Sequence, residues 1–142
     1  MRNKADNVRT RKLNPKLGFL GILGFAGFLG LWSYPANNDV FPFIFFSFFG
    51  FFGFFFEGKM SNTLMDERFI ENRMKAQLQA YRIGLFLAFI TLLSVCSGDR
   101  LFRTNDSKLL FITIALSLSF ALAIFLEAYL LYRYDSKENC EE

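Results

Sequence analysis

Four hydrophobic runs alternate with polar segments along the chain, and only the last run contains a charged residue. They cover residues 17–34, 40–56, 83–98 and 109–132. At the α-helical rise of about 1.5 Å per residue, the first two runs span about 26 Å, slightly less than the ~30 Å hydrocarbon core of a bilayer. The pattern nevertheless predicts an all-α membrane protein with four transmembrane helices, the first of which should stop at Pro35.

The polar segment between the second and third runs is predicted to form a helix. Thr63 and Asp66 have the spacing of a capping box, with Asp in place of the usual Glu or Gln. No Gly or Pro interrupts the residues that follow, so a cytoplasmic helix at about 64–82 should continue directly into the third span. The sequence therefore predicts one long third helix, from Leu64 to Ser97, that extends into the cytoplasm.

The distribution of basic residues predicts the orientation of the chain. Of the 16 Lys and Arg residues, six lie in residues 1–16, five in residues 57–82, two after the fourth run and three in residues 99–108. The positive-inside rule then places the basic tail 1–16, the segment 57–82 and the acidic tail 135–142 in the cytoplasm. The connection at residues 36–39 and the loop at 99–108 should face outside. We expect a multi-pass membrane protein with both termini in the cytoplasm.

Composition excludes several kinds of site. Hydrophobic residues make up 53% of the chain and 21 residues are Phe, which is too many for the core of one small soluble domain. There is no His, and the thiols are Cys96 and Cys140. A zinc site of three or four His or Cys ligands and His-based acid–base catalysis therefore lack their residues. We expect no metal site, no cofactor and no enzymatic activity.

Small residues recur at every third position in the first two hydrophobic runs. Each three-residue step of an α-helix turns by about 300°, so these residues are predicted to form a winding groove that Phe side chains of a neighbouring helix fill. Packing within the first helical hairpin is the favoured interpretation, and a homo-oligomer interface or a lipid- or peptide-sensing groove are the alternatives. The small residues are Gly18, Gly21, Gly24, Gly27, Gly30, Ser47, Gly50 and Gly53.

Glu127 is the only acidic residue well inside a hydrophobic run. Intramembrane carboxylates are functional candidates by default. Glu127 lies six residues before Arg133, so it is about 9 Å from the end of the span. From there it can reach the interface or a basic group of the third helix. A structural role is the favoured interpretation and a functional role the alternative.

The polar part of the third helix carries a narrow apolar stripe with a spacing of four residues, and Glu71 and Lys75 form an i,i+4 pair beside it. The stripe can lie on the membrane surface, lie against the other helices, or fill the groove of a partner protein. Two acidic residues at the helix start could meet the basic surface of a DNA-binding protein. The candidate partner-binding residues are Asp66, Glu67, Ile70, Met74 and Leu78.

The sequence DERFIEN at residues 66–72, followed by Lys75 and Ala76, precedes a hydrophobic helix and follows the Gly/Phe-rich runs. With these features, the chain from about residue 16 to 132 resembles a family of uncharacterised small bacterial membrane proteins. Genes of that family often lie beside a gene for a small helix-turn-helix regulator. The resemblance implies a protein of the bacterial inner membrane that binds a DNA-binding partner or senses a signal for it. The chain is not expected to bind nucleic acid itself, because its basic residues do not form a contiguous patch.

The expected function is accordingly regulatory. The protein would bind a cytoplasmic transcriptional regulator, or respond to envelope or peptide stress. The alternative is an immunity or transporter-accessory protein that acts against membrane-active peptides. The bilayer is a partner in either case.

Overall fold

The computed structural model describes residues 14–60, 66–97, 102 and 104–138, with side chains up to residue 136. The predicted cytoplasmic tail before residue 14 and Cys140 lie outside the described residues. All the regular structure that it describes is helical, and four helices are long and apolar enough to cross a membrane. The expected fold class, an all-α membrane protein with four transmembrane helices, is confirmed.

The first two helices are wound mainly as 3₁₀-helices rather than as α-helices. The first helix is a 3₁₀-helix over Pro15–Leu29 and continues as an α-helix over Gly30–Asn37. The second helix is a 3₁₀-helix over Phe41–Gly53 and continues as an α-helix over Phe54–Lys59. Such runs are unusual, because 3₁₀ segments rarely exceed three or four residues.

The last two helices are long α-helices. The third helix covers Glu67–Cys96 and the fourth helix covers Asn105–Glu138. The fourth helix therefore continues past the predicted span and includes the first residues of the predicted acidic tail. The spatial order of the four helices differs from their order in the sequence. The first helix packs on the second, the second on the fourth, and the fourth on the third. Within the described residues the third helix packs on the fourth alone.

The prediction of a winding glycine groove was wrong, because it assumed α-helical geometry. A 3₁₀-helix has three residues per turn, so residues three apart lie directly above one another. All five glycines from Gly18 to Gly30 therefore form one straight line on the first helix, and the four within the 3₁₀ segment are buried there. The groove that they form runs parallel to the helix axis.

A row of Phe rings on the second helix fills this straight groove. Because the two helices are antiparallel, the residue number of the contacting Phe decreases by three each time the residue number of the glycine increases by three. A Cβ atom added to any of these glycines would lie only 2.5–2.8 Å from the nearest ring atom. The contacting pairs are Gly18 with Phe55, Gly21 with Phe52, Gly24 with Phe49, Gly27 with Phe46, and Gly30 with Phe43. We call this contact the Gly–Phe ladder.

The spacing of the rings shows that the ladder and the 3₁₀ winding fit each other. Successive rings from Phe46 through Phe49 and Phe52 to Phe55 are stacked at 5.9, 6.1 and 6.2 Å, with interplanar angles of 17–19°. Three residues of a 3₁₀-helix rise by about 6 Å, which equals this distance. Phe25 and Phe28 of the first helix also make T-shaped contacts with the rings of Phe49 and Phe46, respectively. Each ring thus lies on a glycine and touches a neighbouring side chain.

The 3₁₀ winding also changes the length of the first two spans. At about 2.0 Å per residue, the 3₁₀ residues 17–29 rise about 26 Å, and the five α-helical residues 30–34 add about 7 Å. The second run reaches about 30 Å by the same reasoning. The two runs that are marginal as α-helices therefore match the ~30 Å hydrocarbon core.

Two predicted helix boundaries were also wrong. Pro35 lies inside the first helix, which ends at Asn37, because the next residue, Asn38, adopts a left-handed conformation with φ 53°. The third helix begins at Glu67 rather than Leu64. Asp66 has an extended backbone, and its carboxylate accepts a hydrogen bond of 2.7 Å from the Phe69 amide, so it is the N-cap. Thr63, the proposed capping partner, lies outside the described residues.

Replacing a ladder glycine should destabilise the protein. We expect Gly24→Leu to lower the thermal unfolding midpoint in mild detergent, at a cost of about 1–3 kcal/mol, because a Cβ there already meets the Phe49 ring at 2.5 Å. The control is Ala26→Leu, a half-buried position outside the glycine row and in line with the exposed leucines Leu23 and Leu29. Equal destabilisation by both substitutions would show that the ladder contact is not the cause.

Candidate functional site

The apolar stripe on the third helix is exposed. Ile70, Met74 and Leu78 have 49%, 58% and 56% of their surface accessible. The opposite side of the same helix is buried, and Ala76 and Ala80 are completely inaccessible. The stripe therefore does not pack against the other described helices, which removes one of the three positions predicted for it. Its role in binding a partner stays a prediction.

The two acidic residues at the helix start have different structural roles. The Asp66 carboxylate is occupied as the N-cap acceptor for Phe69. Glu67 is exposed in the first turn, where a negative charge is favourable to the helix dipole. The predicted pair from Glu71 to Lys75 is present at 2.8 Å between two exposed side chains. Only Glu67 of the two acids is therefore both exposed and without a capping function.

Glu127 joins the fourth helix to the third helix. Its Oε1 atom accepts a hydrogen bond from the Gln77 side-chain amide at 2.7 Å, and its Oε2 atom accepts one from the Tyr81 hydroxyl at 3.2 Å. Of the two alternatives predicted for Glu127, the interface or a basic group of the third helix, the structure shows contact with the third helix, but through neutral donors. In the part of the chain that the structure describes, neutral donors hold this carboxylate and no Lys or Arg lies within ion-pair distance of it.

Sequence reasoning missed Gln77 and Tyr81 as the partners of Glu127. A signal was present, because Arg73, Gln77 and Tyr81 are spaced by four residues and so lie along one ridge of the third helix. The polar ridge ends at Tyr81, and an apolar groove begins there. Which helix faces Glu127 depends on the spatial order of the helices, which the sequence pattern does not give.

The groove lies between the third and fourth helices and has a volume of about 730 Å³. It exists because both helices carry small residues where they face each other. Gly84 is so close to the fourth helix that a Cβ would lie 3.0 Å from the Ala123 Cβ. The residues that line it are Tyr81, Gly84, Leu85, Ala88, Leu116, Ser119, Phe120, Ala123 and Ile124.

The small residues predicted for helix packing serve two separate interfaces. The glycines of the first helix contact the second helix within one hairpin, as the favoured interpretation had it. Gly50 and Gly53 of the second helix face the fourth helix instead, where added Cβ atoms would lie 2.9 Å from the Ala121 carbonyl oxygen and 3.0 Å from the Ala128 Cβ. The Ser47 hydroxyl donates to the Ile44 carbonyl at 2.7 Å, within its own helix.

These features define a helical membrane protein in which neighbouring helices are joined through glycine contacts. The chain belongs to the family described as predicted membrane protein DUF2178, whose model matches residues 12–136. Membership of an uncharacterised membrane protein family, which the resemblance implied, is thereby confirmed. No curated protein and no solved structure matches the chain.

Removing the Tyr81 hydroxyl should weaken the contact between the third and fourth helices. Tyr81→Phe should cost about 0.6–1.5 kcal/mol of stability in detergent, because one hydrogen bond to Glu127 is lost near the inner end of the membrane spans. Tyr129→Phe is the control, since Tyr129 packs through its ring on Phe125. In a Glu127→Ala background the cost of Tyr81→Phe should disappear. If that cost persists there, the hydroxyl does not act through Glu127.

Proposed function

We propose that this membrane protein has a regulatory or sensory role and that the polar part of its third helix, Glu67–Arg82, binds a cytoplasmic protein. The observation that carries the proposal is the exposed stripe of Ile70, Met74 and Leu78 on an ordered helix. Apolar anchors at i, i+4 and i+8 are a recurrent means of filling the groove of another protein. A helix-turn-helix regulator encoded nearby is the partner that the resemblance implies.

The packing of this helix supports a binding surface rather than a flexible tail. Its inner side is fixed to the fourth helix through a cluster that includes Phe69, Ala76 and Leu131. The stripe is consequently held in a defined orientation before any partner binds, so less conformational entropy is lost on binding. Exposed Glu67 adds a negative charge that complements the basic surface of a DNA-binding protein.

A second function is favoured by a different observation. Glu127 places a carboxylate one turn beyond an apolar groove between the third and fourth helices. Membrane-active peptides are commonly cationic and amphipathic, and a protein conferring immunity against them would need such complementary features. The proposal in either form involves no enzymatic activity, no direct contact with nucleic acid and no cofactor. A homo-oligomer is compatible with both.

The orientation belongs to the same proposal, with both termini on the cytoplasmic side of a bacterial inner membrane. In a background with Cys96 and Cys140 replaced by Ser, Ala36→Cys should react with a membrane-impermeant maleimide in intact cells. Glu67→Cys should react only after the cells are lysed. The opposite pattern would place the stripe outside and remove the proposed cytoplasmic partner.

The partner surface is tested by capture of the purified neighbouring regulator on the detergent-solubilised protein. We expect Ile70→Asp and Leu78→Glu each to weaken capture by about tenfold or more, equivalent to about 1.4 kcal/mol. Gln79→Glu is the matched control, because it adds the same charge beside Leu78 and can still accept the hydrogen bond from Tyr134. Wild-type capture by both stripe variants would show that this surface is not the binding site.

A further inference from the structure

We propose that the groove between the third and fourth helices binds the hydrocarbon chain of a single-chain amphipathic cation, with its ammonium group at Glu127. The inference does not depend on the cytoplasmic partner proposed above. It depends on the juxtaposition of an apolar groove and a carboxylate that has only neutral partners in the described part of the chain.

The groove is suited to a hydrocarbon chain. Its volume of about 730 Å³ lies within the range of small-molecule sites in proteins. Two of the lining residues carry hydroxyl groups. The Tyr81 hydroxyl lies at the groove end and donates to Glu127, and the Ser119 hydroxyl donates to the Ala115 carbonyl at 2.8 Å. Along its length the groove thus offers no unsatisfied polar side chain to a ligand, and dispersion contacts with methylene groups are what remains.

The polar end of the groove is built by residues of both helices. Glu127 lies one turn beyond Ala123 and three residues beyond Ile124, both of which line the groove. Tyr81 lines the groove and also donates its hydroxyl to the Glu127 carboxylate. A ligand in the groove therefore contacts Tyr81, which is hydrogen-bonded to the carboxylate one turn beyond the groove.

The negative charge of Glu127 favours a cationic group at this end of the groove. A carboxylate has about four acceptor positions, and the structure shows one hydrogen bond to each oxygen of Glu127. Glu127 is half-buried beside the apolar spans, where an opposite charge stabilises an ionised carboxylate. Arg73 lies on the same ridge, one turn beyond Gln77, and its charge acts on the Tyr81 hydroxyl, but it makes no ion pair with Glu127. An ammonium group would supply that charge, and the Tyr81 ring could add a cation–π contact.

The order of groups in the ligand follows from the geometry. In a zwitterionic phospholipid the phosphate lies between the hydrocarbon chains and the amine. A phospholipid chain in the groove would consequently bring an anionic phosphate close to Glu127, which like-charge repulsion disfavours. A cation attached directly to one alkyl chain avoids this conflict. The site therefore fits alkylammonium compounds better than the surrounding lipids.

The test compares amphiphiles that share a dodecyl tail. The full-length protein in dodecyl maltoside micelles is titrated with small mole fractions of dodecyltrimethylammonium or of dodecyl sulfate, and its thermal unfolding midpoint is followed. We expect a saturable increase with the cation and none with the anion. Glu127→Gln should weaken the apparent affinity for the cation at least tenfold, whereas Glu71→Gln, which removes an exposed carboxylate of the third helix, should not change it.

A second variant keeps the test decisive if Glu127→Gln does not fold. Ala88→Phe places a ring in the groove without touching the carboxylate, and it should also abolish the saturable increase. A dodecyl cation with a photoreactive group at the chain end should label the groove segments around Ala88 and Leu116 in the wild type. The proposal would be overturned if the cation raised the unfolding midpoint of both variants as much as that of the wild type, or if labelling were spread evenly over all four helices.

Discussion

The contact between a glycine and a phenylalanine ring, repeated at every turn, holds together the helical hairpin on which the fourth helix, and through it the third helix, packs. Lipid provides no hydrophobic force that would push helices together, so association needs surfaces that approach closely. The glycine row provides such a surface on the first helix. Without a Cβ atom, the backbone lets each ring approach to a distance at which an alanine would collide. The second helix is thereby held in one register against the first.

From that contact the rest of the structure follows in order. The second helix turns its Phe row to the first helix, and at 120° from it the row containing Gly50 and Gly53 faces the fourth helix. The third helix packs on the fourth helix and on no other helix in the described part of the chain. The third helix is therefore held from one side only. The groove formed by the small residues stays open, and the stripe stays exposed, because no second neighbour covers them.

The membrane spans and the long third helix could be predicted from hydrophobic length and the absence of helix breakers. The 3₁₀ winding was not predicted, although the period of three was visible in the sequence. The 3₁₀ winding could have been predicted from two features together. Glycines three residues apart form a straight line only in a 3₁₀-helix, and the second run carries Phe at the same period. The partners of Glu127 could not be predicted, because they lie 50 and 46 residues away in sequence.

The ladder makes three residues the natural unit of length in the first two helices. Inserting or deleting one residue would rotate everything beyond it by a third of a turn and move a glycine out from under its ring. A whole triplet can be added or removed without that rotation, and it changes the length of the hairpin by about 6 Å. A protein built in this way can be fitted to a thicker or thinner bilayer only in coarse steps. Variation in chain length among relatives should accordingly occur in multiples of three, and on both helices at once.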